Sequence, residues 1–240
     1  MRVLGIDTAT RTASAGVIDD DRLLAERSLA AGGSHAAALL PLIESVLDAA
    51  HLGIGDLDLL AVAIGPGSFT GLRVGLSVAK GLALACAKPI VGAPTLEAYA
   101  RGLGPRAGLV CPVLDARKRE VYAAVFRWIG DELREVRAPD VVSPEDFASR
   151  LEMPCTLIGE GVDAYAALWR TCLGDAAELL SASALQPMGT VVARLGRLRY
   201  GAVGSDDLAT LEPAYVRRSE AELGRHSDGR RNDLSPVWKN

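Results

Sequence analysis

The chain has 240 residues, enough for one large domain or two modest ones, each able to bury a core. Its net charge of −4 and pI near 5.5 argue against free-standing nucleic-acid binding. The start lacks the apolar stretch and cleavage site of a secretory signal, and no uninterrupted apolar run reaches the ~18 residues of a membrane span, so a cytoplasmic protein is expected.

Residues 2–6, 13–19 and 22–29 read as three strands at hairpin spacing, an antiparallel meander whose first strand ends at Asp7. A loop at 32–35, with Ser34 as candidate cap, leads into a helix over about 34–50. Leu39, Leu40, Ile43, Val46 and Leu47 share one face of it, and Pro41 is expected to kink it or mark its effective start. A buried strand at 57–64 runs into Gly65-Pro66-Gly67-Ser68 and a helix over 70–87; a short strand at 89–94 precedes a helix near 95–102. The pattern then restarts. An apolar strand ends at Asp115, in the place of Asp7, and two alternating strands follow. Helices are expected at 143–151 (capped by Ser143), 162–173 and 187–200, and strands at 156–158 and around 178–182. Two halves, 1–102 and 103–222, would enclose a cleft, with a tail at 223–240.

Two loops could carry chemistry. Asp7, Thr8 and Thr10 offer a carboxylate and two hydroxyls that suit a hydrated Mg²⁺ and a phosphate, but equally suit a turn. Gly65, Gly67, Ser68 and Thr70 precede a helix N-terminus, where free N–H groups attract anions. The same residues also serve as a capped strand–helix turn. The loop is neither a Walker loop nor a nucleophile elbow.

The helix behind the loop repeats Gly71, Gly75, Ala79 and Ala83 every fourth residue, leaving one face nearly bare. Such a stripe admits a neighbour closely, either inside the chain or at a subunit interface. The three histidines (His35, His51, His226) are far apart and form no H-x-x-x-H pair. The four cysteines (Cys86, Cys111, Cys155, Cys172) are widely spaced and read as buried thiols. The basic runs 117–119 and 217–218 read as solvated charge or as RNA-backbone contacts.

The segments LGIDTAT, SHAAALLPLI, GPGSFTGLRVGLSVAKGLA, LDARKREVYAAVF and PAYVRR, in this order over about residues 1–220, resemble the TsaB family. That resemblance implies an α/β actin-like ATPase fold of two ribonuclease-H-like halves with mixed sheets. It also implies a non-catalytic, cytoplasmic subunit required for tRNA threonylcarbamoyladenosine formation. Its partners would be a TsaD-like catalytic paralogue, a TsaE-like ATPase and, through the complex, tRNA; alone, the chain could form a homodimer. TsaD carries an H-x-x-x-H metal motif where this chain has Thr95 and Tyr99, so no metal and no transferase chemistry are expected of this chain alone. No cofactor is implied beyond ATP or ADP at the subunit interface of the complex. The family's pairing surface maps onto His35, Leu39, Leu40, Ile43, Gly71, Leu72, Arg73, Gly75, Leu76, Ala79, Lys80 and Ala83. Ala36-Ala37 replaces a Ser-Glu pair frequent in the family, which removes any polar contact that pair carries. The competing readings are an actin-like nucleotide-dependent ATPase or phosphotransferase and a metallopeptidase-like protein; the missing histidine pair argues against the latter.

Overall fold

In a computed structural model of the chain, residues 1–30, 35–185 and 187–216 are described, except for the side chains of His35 and Ala36. Ser34, the 217–218 basic run, His226 and the 223–240 tail lie outside the described residues.

Each half opens with the expected meander. In the first, β1 (Arg2–Asp7), β2 (Thr12–Asp19) and β3 (Arg22–Ala30) pair antiparallel. Helix α1 (His35–Ala49) then crosses to β4 (Leu59–Gly65), parallel to β1, and α2 (Phe69–Cys86) crosses to β5 (Ile90–Pro94), parallel to β4. After α3 (Thr95–Gly102), the second half repeats the plan with β6 (Leu109–Arg117), β7 (Glu120–Ile129) and β8 (Glu132–Val142). Next come α4 (Pro144–Ala148), β9 (Cys155–Ile158), α5 (Glu160–Ala164), α6 (Ala166–Leu173), β10 (Ala177–Leu180) and α7 (Met188–Val203). The sheets run β3-β2-β1-β4-β5 and β8-β7-β6-β9-β10, the same order twice. This is the actin-like arrangement of two ribonuclease-H-like halves.

Strand alternation explains the layering. Along β1, Leu4 and Ile6 face α1 and α2, while Val3 faces the opposite layer, where α7 and α3 lie between the two sheets. Helix α7, from the end of the chain, packs on the first sheet. It sits there because the contact is nearly bare backbone: a Cβ on Gly5 would fall 2.0 Å from the Gly189 carbonyl oxygen, and one on Gly189 2.6 Å from the Ala15 Cα. On the far side of the second sheet, α4, α5 and α6 cover Cys111, Val113, Cys155 and Leu157 through Phe147, Trp169 and Leu173.

Pro41 lies inside α1, so it does not mark the helix's start. Two other expectations change in detail. The helix expected over 162–173 is two helices broken at Tyr165, whose backbone leaves helical geometry (φ −126°, ψ 28°). There the Gly161 carbonyl accepts both the Tyr165 N–H and the Trp169 indole N–H, at 3.3 and 2.9 Å. Of the four cysteines, Cys111 and Cys155 are buried, but Cys86 is only partly covered and Cys172 is exposed. Although α2 has the length and mean hydropathy of a membrane span, its buried face joins the core of the first half.

Candidate functional site

The two loops singled out in the sequence pack against each other. Thr8, fully buried, donates its hydroxyl to the Gly71 carbonyl at 2.7 Å, and the Ser68 N–H donates to the Ala9 carbonyl at 2.6 Å. A Cβ on Gly67 would sit 2.4 Å from the Ala9 oxygen. The Ser68 hydroxyl accepts the Gly71 N–H at 3.2 Å and caps α2. The Gly65 N–H is taken by the Thr95 hydroxyl at 3.1 Å. This is a capped, closely packed strand–helix turn. Ala9, Thr10, Gly67 and Ser68 line a cavity between the halves, and Thr70 lies at the exposed start of α2.

The small-residue stripe is used the same way. A Cβ on Gly71 would lie 2.0 Å from the Thr8 oxygen, and one on Gly75 2.2 Å from the Thr8 Oγ1. Gly71, Gly75, Ala79 and Ala83 are buried, as are Leu72, Leu76, Leu39 and Ile43. These eight residues, expected at a subunit interface, are buried within the chain: Gly71 and Gly75 lie under Thr8, and the other six join its core clusters. Of the other expected interface residues, Leu40 and Arg73 are exposed and Lys80 is half-buried; the His35 side chain lies outside the described residues. What α2 presents outward is the neighbouring strip. Phe69, Thr70, Arg73, Val74, Ser77 and Val78 line an apolar groove of about 430 Å³. Exposed Leu40 lies on α1, which packs beside α2.

Between the halves lies the expected cleft. A cavity of about 330 Å³ is lined by Thr10, Arg11 and Ser68 on one side and by Asp115, Arg117, Tyr122 and Glu160 on the other. The Arg11 N–H reaches Glu160 Oε1 across it at 3.3 Å. A second cavity of about 250 Å³ is lined by Asp7, Thr10, Ser14, Tyr99 and Glu160 and has no cation in its wall. Asp7 is 1% exposed. Its Oδ1 accepts the Ala9 N–H at 2.9 Å, and its Oδ2 has no hydrogen-bond partner. Burial is the main cause that pushes its carboxyl up to about 6, with the Glu160 charge adding and the Ala9 N–H opposing. Tyr99 is buried behind it and its hydroxyl is also pushed up, chiefly by burial, then by the Asp7 and Glu160 charges.

A family model described as "TsaD: tRNA N6-adenosine threonylcarbamoyltransferase" matches residues 29–224. The chain is 34% identical over 173 residues to the tRNA threonylcarbamoyladenosine biosynthesis protein TsaB of Escherichia coli, a match spanning 69% of this chain and 74% of that protein. It is 29% identical over 225 residues to the protein of the same name from Bacillus subtilis, across 92% of this chain and 96% of the relative. The chain belongs to the TsaB family. The solved structure of YeaZ from Pseudomonas aeruginosa aligns at a TM-score of 0.72 and 27% identity, covering 89% of this chain and all of that one (100%).

In this TsaB-family chain, Thr95 and Tyr99 both lie on α3, but each is committed elsewhere: Thr95 to the Gly65 N–H, Tyr99 to the wall beside Asp7. Among the described residues, no three or more His, Cys, Asp and Glu side chains cluster as metal ligands do. Sequence reasoning missed Glu160, which borders both cleft cavities, and Tyr215, whose hydroxyl accepts from Arg73 Nε at 2.9 Å. Glu160 was signalled by GEG at the end of a strand, the counterpart of the Gly65–Gly67 turn. Tyr215 had no local signal, since its partner lies 142 residues away.

Proposed function

We propose that this chain takes part in tRNA threonylcarbamoyladenosine biosynthesis as a non-catalytic subunit that pairs with a TsaD-type transferase. The observation that carries the reading is the apolar groove on α2 lined by Phe69, Val74 and Val78, on a helix that packs against α1, where Leu40 is exposed. Contiguous apolar surface rimmed by polar residues is what protein partners bury. Family membership and the names of the TsaB relatives support the pathway. The assembly would act on tRNAs reading codons that begin with A. A TsaE-type ATPase would join it, tRNA would be reached through the complex, and the same strip would support a homodimer when the partner is absent. ATP or ADP is assigned to the interface of the assembled complex rather than to the loops after β1 and β4. Cytoplasmic location goes with this reading.

The alternative, an ATPase or phosphotransferase working in the cleft, draws on Asp7, Thr10 and Arg11 around the cavities. A reconstitution separates the two. Threonylcarbamoyl transfer to tRNA is measured with TsaD-type and TsaE-type proteins, with and without this chain. Loss of transfer on omission, and none by the chain alone, is expected. Turnover by the chain alone, or a complex indifferent to it, would favour the cleft enzyme. Thr70→Arg combined with Ser77→Glu is expected to abolish pairing while the variant stays folded, since both positions line the groove and are exposed; undiminished partner affinity would sink the pairing reading.

A further inference from the structure

The described chain ends at the rim of the α2 groove. The Tyr215 ring lies 5.2 Å from that of Phe69, and its hydroxyl accepts from Arg73 Nε at 2.9 Å; Phe69 and Arg73 both line the groove. Just before it, the Ala214 N–H donates to the Ile64 carbonyl at 2.7 Å, so the point of exit is fixed to the first sheet. The groove has apolar walls in Phe69, Val74 and Val78, with Phe69 45% exposed. Thr70 and Ser77 add hydroxyls at exposed positions, and Arg73 is the cation in its lining. The sequence beyond is uneven. Leu223 is the single large apolar residue of 217–233, and then Leu234, Pro236, Val237 and Trp238 come together.

From the point of exit and this cluster we infer an intramolecular contact: residues 234–238 dock in the α2 groove of their own chain. Pro236 fixes its own φ and biases Ser235 to extended backbone. Extended backbone turns alternate side chains to one side, here Leu234, Pro236 and Trp238. Such a run from 234 to 238 spans about 13 Å, and α2 rises about 14 Å from Phe69 to Val78. The indole covers apolar wall, and its N–H donates to the Thr70 or Ser77 hydroxyl, the kind of partner a buried indole needs. Asp233 enters beside the segment with a carboxylate for Arg73.

The connection is long enough. Residues 217–233 reach up to about 55 Å extended and about 23 Å as a coil, and either lets the chain turn back along the groove. Tethering also selects the occupant. A short tether holds its segment at an effective concentration of about 1 mM. A contact with a Kd of about 0.1 mM is then about nine-tenths formed within one chain, yet barely formed between separate chains at micromolar concentration. The chain's own segment is thus favoured over a second copy. This contact does not rest on the pairing reading, but a partner seated on the same strip must displace it.

The test labels the full chain with 5-fluorotryptophan, giving one fluorine signal each for Trp128, Trp169 and Trp238. Trp238→Ala assigns the third. In the unaltered chain the Trp238 signal is expected away from its position in a free peptide of residues 233–240, and unchanged on dilution. In Thr70→Arg combined with Ser77→Glu it should return to the peptide position, while the signal of buried Trp169 stays in place and reports an intact fold. A second measurement needs no groove variant. The same peptide is titrated onto the chain shortened after Asn232, which keeps every described residue. Saturable binding is expected, about tenfold tighter than to the full chain, where the tethered segment competes. A Trp238 signal at the peptide position in the unaltered chain would overturn the proposal. So would a displaced signal that the groove variant leaves unmoved, or one that fades on dilution and so belongs to a second copy. Peptide binding to the shortened chain that is absent, or no tighter than to the full chain, would overturn it as well.

Discussion

Asp7 ends β1 and Asp115 lies two residues before the end of the equivalent strand β6, and each accepts the backbone N–H two residues further on, at 2.9 Å in both halves. The surroundings then diverge. Asp7 is buried in the wall of a cavity it shares with Tyr99, has Glu160 as a like-charged neighbour, and leaves one oxygen without a partner. Asp115 keeps its carboxylate partly open and pairs with Arg117 at 3.2 Å. After Asp7 the turn folds down onto the Gly71–Gly75 face of α2; after Asp115 three consecutive residues, Arg117, Lys118 and Arg119, take positive φ angles of 62°, 51° and 62°. A repeated backbone plan therefore fixes where a carboxylate stands, while the neighbours differ: Tyr99 and Glu160 around a buried acid, Arg117 beside a partly open ion pair.

The sharpest way to break this comparison is to force the cover off the first turn. Gly75→Leu drives a side chain into Thr8 and is expected to destabilise by about 3 kcal/mol or more. Gly81→Leu, on the same helix with nothing within 4 Å of an added Cβ, should instead gain up to about 0.8 kcal/mol from helix propensity. Urea unfolding of the two variants measures the contrast; similar losses in both would mean that Thr8 does not rest on α2.

The next effect is electrostatic. Because the carboxyl of Asp7 rises from 3.8 to about 6 on folding, the folded chain binds a proton that the unfolded chain releases between those pH values. Stability from this group is full below about pH 4 and is lost as pH rises through 6. Asp7→Asn keeps an oxygen for the Ala9 N–H and removes the buried charge. It should therefore stabilise by up to about 3 kcal/mol at pH 8 and flatten the pH dependence between 4 and 6. Asp115→Asn, at a partly open ion pair, should cost about 1 kcal/mol or less. Melting temperatures from pH 3 to 8 decide it: a destabilised Asp7→Asn at pH 8 would show that the lone oxygen has a partner of its own.

In the second half, the helix break at Tyr165 depends on the Trp169 indole holding the Gly161 carbonyl. Trp169→Phe keeps most of the ring and drops the donor, for an expected loss of about 2 kcal/mol in thermal or urea unfolding. No change would mean the break is set by Gly161 alone.

The strands were legible because their buried faces alternate and their ends carry Asp or Gly: Asp7 and Asp19 end β1 and β2 as expected, Gly65 ends β4 one residue late, and Asp115 does not end β6, which runs two residues further to Arg117 through a register shift. The Gly71–Gly75–Ala79 stripe was legible as a demand for something close, but spacing along one helix carries no information about what comes close. Its occupant, Thr8, is brought by β1 from 63 residues away. The same limit hid Gly5 against Gly189, since a glycine in a buried strand announces a neighbour without naming it. The break at Tyr165 was hidden by an apolar pattern that runs through 162–173 unbroken; the Trp169 indole bond that spans it to the Gly161 carbonyl is invisible to periodicity. For the candidate site, the cleft between the halves was legible, but the burial of Gly71, Gly75, Ala79 and Ala83 inside the chain was not.

The outward strip of α2 begins at an aromatic clamp with no counterpart described in the second half. The Arg73 guanidinium lies 3.8 Å from the Phe69 ring centre and 5.9 Å from that of Tyr215, and the two rings are 5.2 Å apart. Tyr215 ends a segment that runs back along the first sheet: the Asp206 carboxylate accepts the Gly92 N–H at 2.7 Å, and the Ala214 N–H donates to the Ile64 carbonyl at 2.7 Å. The clamp thus ties the end of the described chain to the start of the groove proposed for pairing. Exposed cation–π contacts contribute about 0.5–1 kcal/mol, so Arg73→Ala should lower global stability by no more than about 1 kcal/mol. Its local effect should be larger than its global one. Hydrogen exchange at Ala214 is expected to speed up, while exchange in β1 and β4 stays unchanged, because the backbone bond to Ile64 loses the anchor beyond it. Arg73→Lys, which keeps the charge but lacks the planar guanidinium, should recover only part of the protection. If Ala214 exchanges at the same rate in all three proteins, the segment is held by Asp206 and Leu211 alone, and Arg73 is left to the partner-facing strip rather than to the clamp.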